Sequence, residues 1–147
     1  MTDWHTRFLD MAKLVSNWSR DPSTQCGAVI TGNNNEVISI GFNGFARSMP
    51  DAPDLYADRE EKYSRIIHAE VNALLFAGRL PQFATLYTYP FGPCDRCVVQ
   101  MLQAGIFNFV APKPSGERGE RWAAHLAKSR KYIDECGGVL KELDYGR

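Results

Sequence analysis

An α/β fold is what this chain predicts: a three-layer α-β-α sandwich around a mixed five-stranded sheet. Two observations carry that reading. The hydrophobic spacing switches between a helical and a strand period in the order α-β-β-α-β-α-β-α-β, and the first two strand segments are separated by a turn while the later ones are separated by helix-length segments. A turn makes antiparallel neighbours; a crossover helix returns the next strand parallel. With 147 residues and 44% hydrophobic content, the chain suits one domain, 1–147, that buries its core without disulfides.

Trp4, Phe8, Met11, Val15 and Trp18 recur at steps of four and three and predict a helix over 3–18 with that face on the core. Asp21-Pro22 stops it. Gly27 to Thr31 reads as a strand, Gly32-Asn33-Asn34-Asn35 as a turn, and Glu36 to Gly41 as the antiparallel partner. Residues 45–63 hold two prolines, several acids and no sustained period, which predicts an exposed loop that becomes helical late. Ile67, Val71, Leu74 and Leu75 share the face of a helix that Gly78 ends, with His68 and Glu70 near its first turns. Ala84 to Tyr89 is the third strand. Pro93 suits a first helical position, so Cys94 to Gln103 is the next helix, and Ile106 to Ala111 the fourth strand, parallel to the third. A polar loop from Pro112 to Gly119 leads to a helix over about 120–135 carrying Trp122, Leu126 and Ile133, and Val139 to Leu143 is the last strand.

Composition narrows the function. Seventeen basic residues balance seventeen acidic ones, so no global field draws a nucleic-acid backbone, and a small substrate is favoured. The first ten residues contain acids and no apolar core, unlike a signal peptide, and no run approaches the roughly 18 apolar residues of a membrane span. A cytosolic protein is expected. Of four cysteines, Cys26 and Cys136 read as small buried or partly buried thiols.

The other two define the chemistry. His68-Ala69-Glu70 and Pro93-Cys94-Asp95-Arg96-Cys97 offer one imidazole and two thiolates to a zinc ion, leave a fourth position open, and set a carboxylate two residues from the histidine. A Cys-x-x-Cys pair is also compatible with a redox centre or half of a structural zinc site. The redox reading gives His68 no role, and neither His5 nor His125 stands at zinc-finger spacing to supply a fourth ligand.

These two segments together resemble the H-x-E…P-C-x-x-C signature of the zinc-dependent cytidine deaminase superfamily. Arg20-Asp21-Pro22-Ser23-Thr24-Gln25-Cys26-Gly27-Ala28, Gly41-Phe42-Asn43-Gly44, His68-Ala69-Glu70-Val71-Asn72-Ala73 and Gln103-Ala104-Gly105-Ile106 look like its deoxycytidylate (dCMP) deaminase branch, over roughly residues 5–111. The resemblance implies a cytidine deaminase-like fold and one catalytic Zn2+ per chain on His68, Cys94 and Cys97. It further implies hydrolysis of dCMP to dUMP and ammonia, zinc-bound hydroxide attacking C4 while Glu70 shuttles the protons. Asn43 resembles the asparagine that hydrogen-bonds the sugar, and the Ala69 backbone resembles the amide that reads the base. Arg20, Lys113 and Arg121 are the cations expected near a 5′-phosphate, and Tyr89 and Phe91 the aromatics flanking the base.

The family also implies a homo-oligomer, and in many members regulation by dCTP and dTTP. Here Phe45-Ala46-Arg47-Ser48 departs from the pattern of the loop that helps bind those regulators, and Cys26 replaces the usual valine. Alternative substrates are dCTP, 5-modified dCMP and free cytidine; from another class, the chain could be a zinc-stabilised nucleotide-binding module without catalysis, against which the presence of Glu70 speaks. Balanced charge argues against a polynucleotide substrate.

Overall fold

The computed structural model describes residues 3–146. Helix α1 (Trp4–Ser16) begins at Asp3, whose carboxylate accepts the Thr6 N–H at 2.7 Å. It lies across β1 (Gly27–Thr31), every residue of which is buried, so the strand is covered on both faces. β2 (Val37–Phe42) pairs antiparallel with β1 on one side, and β5 (Thr85–Tyr89) pairs antiparallel with it on the other. Parallel β6 (Asn108–Pro112) and β7 (Val139–Leu143) complete a mixed sheet in the order β2-β1-β5-β6-β7.

Between them run α4 (Ala69–Ala77), α5 (Asp95–Gln103) and α6 (Gly116–Glu135). Alternate strand residues sort the two interiors, as the pleat requires. Ala28, Ile30, Leu86 and Phe109 meet Ala73, Val98, Met101 and Ile133 from the helices on one face, while Val29, Tyr87 and Val110 meet Phe8, Leu9 and Ala12 of α1 on the other. The three-layer architecture expected from the sequence is the one observed.

Several local expectations shift. The buried face of α1 is Phe8, Leu9, Ala12, Val15 and Ser16; Trp4 and Trp18 stand about half exposed at its margins. Close approach explains this. A Cβ on Gly27 would lie 2.0 Å from the Ala12 carbonyl oxygen, so small residues must meet the sheet and the indoles are displaced onto Phe8 and Phe42. Residues 44–67 are more ordered than the expected loop: β3 (Gly44–Phe45) pairs with β4 (Ile66–Ile67), and α2 (Pro53–Ala57) and α3 (Arg59–Arg65) lie between. Ile67 belongs to that small sheet, and Leu75 is exposed, so α4 buries Ala69, Glu70 and Ala73 instead. Pro93 precedes the α5 cap, since Cys94, at φ −71° and ψ 168°, is extended and the helix starts at Asp95. Among the described residues no helix is long and apolar enough to cross a membrane.

The seat of α4 depends on Gly41. A Cβ there would fall 2.4 Å from the Ala73 amide nitrogen and 2.5 Å from the Ala69 carbonyl oxygen, and backbone cannot step aside cheaply. Gly41→Ala is expected to destabilise the fold by about 1–3 kcal/mol, read as a lowered midpoint in urea unfolding.

Candidate active site

Strand register brings the site together. Gly27 lies opposite Phe42 on one side and Tyr89 on the other, so Cys26, Asn43 and the chain beyond Tyr89 emerge along one end of the sheet. Two helices start there. His68 is the N-cap of α4 and Cys94 the N-cap of α5, both in extended backbone, and neither side chain caps its helix. Their side chains meet instead. His68 Nδ1 is 3.1 Å from Cys97 Sγ and 3.7 Å from Cys94 Sγ, and the three ligand atoms lie within 4.8 Å of one another. Tetrahedral zinc with ordinary Zn–N and Zn–S bonds needs ligand separations of about 3.6 Å, so the donor set fits that ion. His5 is bonded to the Tyr87 hydroxyl at 2.8 Å and His125 to Asp95 at 2.7 Å, so neither adds a fourth ligand. His68 and Cys94 line a cavity.

Glu70 stands beside the cluster, its Oε1 3.7 Å from His68 Nδ1 and only 7% of its surface exposed. Burial pushes its carboxyl above the ordinary range, against the pull of the His68 charge. The Cys94 thiol is held down to about 4, chiefly by the hydrogen bond from Cys97 and, against burial, by His68. Cys97 is pushed up by its hydrogen bond to Cys94 and by burial.

The cavity measures about 580 Å³, the size of a small-ligand site. Ala69, Tyr89, Phe91, Asn43 and Arg121 line it together with His68, Glu70 and Cys94. Arg20 does not. Its neighbour Asp21 turns inward and is buried, which leaves the Arg20 side chain 74% exposed and 3.8 Å from Asp51. Lys113 is also elsewhere. Its N–H donates to the Leu143 carbonyl, holding this segment along β7, and its ammonium lies 3.2 Å from Asp144 beside a separate cleft behind Tyr89 and Phe91. Cys26 lines the cavity as a half-buried thiol that burial pushes well above its ordinary range, whereas Cys136 is exposed, contrary to expectation, because it caps the end of α6 at the surface.

Asn43 is more committed than a sugar contact requires. Its amide donates to Thr24 O at 2.9 Å and Asp21 Oδ2 at 3.3 Å, and its Oδ1 accepts the Cys26 N–H at 2.8 Å, which leaves one Oδ1 lone pair for the cavity. Asp21 is the hub beneath it, accepting also from Ser23 and from Lys62 Nζ at 2.8 Å. The sequence reading missed Lys62, Arg59, Tyr56, Trp122 and His125, all of which line the cavity. Those on α2 and α3 carried no periodic signal. On α6 a cue existed: Arg121 and His125 stand four apart, on one helical face.

The comparisons agree with this geometry. The family model described as cytidine and deoxycytidylate deaminase zinc-binding region matches residues 2–112. A protein of Aliivibrio fischeri named as an uncharacterized deaminase in the luxG 3′ region is 38% identical over 137 residues, 93% of this chain and 91% of its own length. A probable deoxycytidylate deaminase of Caenorhabditis elegans is 35% identical over 108 residues, 69% of this chain; the match spans 53% of that relative, about half its length. The dCMP deaminase of cyanophage S-TIM5, solved in complex with dCMP and dUMP, shares the fold at a TM-score of 0.71 and 18% identity, over 93% of this chain and 94% of that one.

Two predictions follow from the site's own groups. Purified protein is expected to carry about one zinc per chain, and Cys97→Ala to carry substantially less by elemental analysis; full retention would remove Cys97 from the ligand set. Asp21 is buried, yet the bonds from Lys62 and Ser23 hold its carboxyl below 3.8, so the stability it contributes is complete above that value and fades as pH falls through the lower folded value. Asp21→Asn, which strands the Lys62 charge, is expected to cost about 3 kcal/mol near pH 7 and less near pH 3, measured by denaturant unfolding at both.

Proposed function

This chain belongs to the cytidine and deoxycytidylate deaminase family, and we propose that it hydrolyses dCMP to dUMP and ammonia. The single observation that carries the proposal is the buried Glu70 carboxyl, 3.7 Å from the metal-ligand nitrogen of His68, at a cavity that also contains Arg121. His68, Cys94 and Cys97 hold one zinc, which when bound supplies a Lewis acid that brings the pKa of a water near neutrality. In the reaction the oxygen of water adds to C4 of the pyrimidine and the C4 amine leaves as ammonia. Two protons must move. Glu70 carries the first from the water to N3, and the second from the new C4 hydroxyl to the departing amine, so one carboxyl acts as base and then acid.

The other residues orient. The Ala69 backbone reads the base edge, Asn43 offers its remaining lone pair to the sugar, and Tyr89 and Phe91 bound the base. Arg121 is the phosphate partner we favour: its Nη2 donates to Thr24 Oγ1 at 3.0 Å, and no described carboxylate forms an ion pair with it. Lys62, by contrast, is bonded to Asp21 and to Ser23 Oγ. Regulation by dCTP or dTTP is not part of this proposal, because Phe45 of the departing loop is stacked on Tyr56 at 4.0 Å and serves local packing. A homo-oligomer is, supported by the exposed Leu75 and Phe76 on α4 and Val99 on α5.

The test is ammonia release from dCMP, dCTP, cytidine, 5-methyl-dCMP and a single-stranded oligonucleotide, with dCMP expected to be turned over most efficiently. Glu70→Gln is expected to keep its zinc and lose at least about 100-fold in kcat on dCMP. Near wild-type turnover by that variant would end the proton-carrier assignment, and inactivity of the wild type on the whole panel would favour a binding module.

A further inference from the structure

The family match ends at residue 112, yet one wall of the cavity is built by α6, beyond it. The central element of that wall is Trp122. Its ring centroid lies 6.3 Å from the His68 ring at 83°, 6.2 Å from Phe91 at 41°, and 5.3 Å from His125 at 51°. His125 in turn bonds Asp95, the residue after Cys94, at 2.7 Å. The indole is thus fixed relative to the metal ligands from two directions: edge-on against His68, and through its own helix to the start of α5. The remaining feature is polar. Trp122 Nε1–H is buried and has no hydrogen-bond acceptor among the described residues, an uncommon state for an indole donor.

We propose that Trp122 is a specificity-determining residue of this site, its indole forming the surface against which the substrate's heterocycle packs. Phe91 and Trp122 diverge by 41° with centroids 6.2 Å apart, so neither covers the other's face. A flat, π-bearing ring is what such a surface holds best; an aliphatic side chain would close the wall without fixing the plane of the base. Because His68 abuts the indole, a ring seated on Trp122 has its orientation set relative to the ligands and Glu70. The residue acts on binding rather than on proton transfer. The ligand class, an aminopyrimidine nucleotide, rests on the deaminase proposal; the aromatic wall itself does not.

Zinc-loaded protein of this 147-residue sequence carrying Trp4→Phe and Trp18→Phe has Trp122 as its sole tryptophan, and both replaced indoles are about half exposed. Titration with dUMP and dCMP is expected to quench Trp122 emission saturably. In the otherwise unchanged enzyme, Trp122→Leu is expected to raise KM for dCMP about tenfold with kcat within about twofold and zinc content unchanged, while Trp122→Phe stays within about threefold of wild type in KM. Nucleotide binding seen by equilibrium dialysis without any change in emission would overturn the inference, as would a Leu variant with unchanged KM or one that loses zinc and kcat together. The two proposals fail separately: ammonia release without quenching removes the role of Trp122, quenching without ammonia release removes the deaminase reading, and neither signal removes both.

Discussion

Two helix N-termini converge on one point, and the rest of the molecule is arranged around that convergence. His68 and Cys94 occupy N-cap positions that Ser, Thr, Asp or Asn would fill better, and both leave the first-turn amides uncapped by their side chains. What helix stability loses there, the site gains: Nδ1 and Sγ turn toward each other, and Cys97 joins them from within the first turn of α5. The amide ends of both helices bring partial positive charge to the place where thiolates must be stabilised. A local rule is broken where chemistry needs it broken, a pattern expected of functional sites.

Holding two helix ends together demands a rigid base, and the sheet supplies it. β1 is hydrogen-bonded on both edges and buried on both faces, and the cover is so close that Gly27 of β1 admits no side chain beneath α1 and Gly41 of β2 none beneath α4. At the open end of these strands the buried polar network of Asp21, Asn43 and Ser19, joined by the half-buried Lys62, takes over from backbone pairing. Ser19 Oγ donates to the Asn43 carbonyl, Asn43 joins the segments before and after the first hairpin, and Lys62 ties α3 to both through Asp21. Charges buried this way are costly to strand, so the network fixes one arrangement of the cavity wall rather than several.

The cavity is therefore built from parts with different origins. Its floor comes from the two zinc-ligand segments, its near wall from the polar network, and its outer walls from α3 and α6, which approach from distant parts of the chain. The outer walls bring the cations and the indole to the cavity, and the floor brings the His68 imidazole, the Cys94 thiol and the Glu70 carboxyl. Arg20 and Lys113 show how easily this division is misjudged. The Arg20 side chain points to solvent because its neighbour Asp21 took the inward position, and Lys113 follows the edge of β7.

By itself the sequence determined the layer architecture, the parallel and antiparallel halves of the sheet, the zinc ligands and the carboxylate beside them. Those properties are written in short-range terms: the 3.6 and 2.0 hydrophobic periods, a turn of asparagines, two ligands three residues apart, a carboxylate two residues from an imidazole. Only the tertiary structure decided which face of α1 is buried, that 44–67 forms a small sheet and two helices, and that Trp122, His125 and Lys62 reach the site. These depend on the distance of approach between elements and on contacts between residues far apart in the chain, for which a periodic pattern leaves no trace. The same amphipathic spacing that placed Trp122 on the inner side of its helix could not say whether it met core or cavity, because that depends on where α6 crosses the zinc-ligand segments, and the sequence carries no record of that crossing.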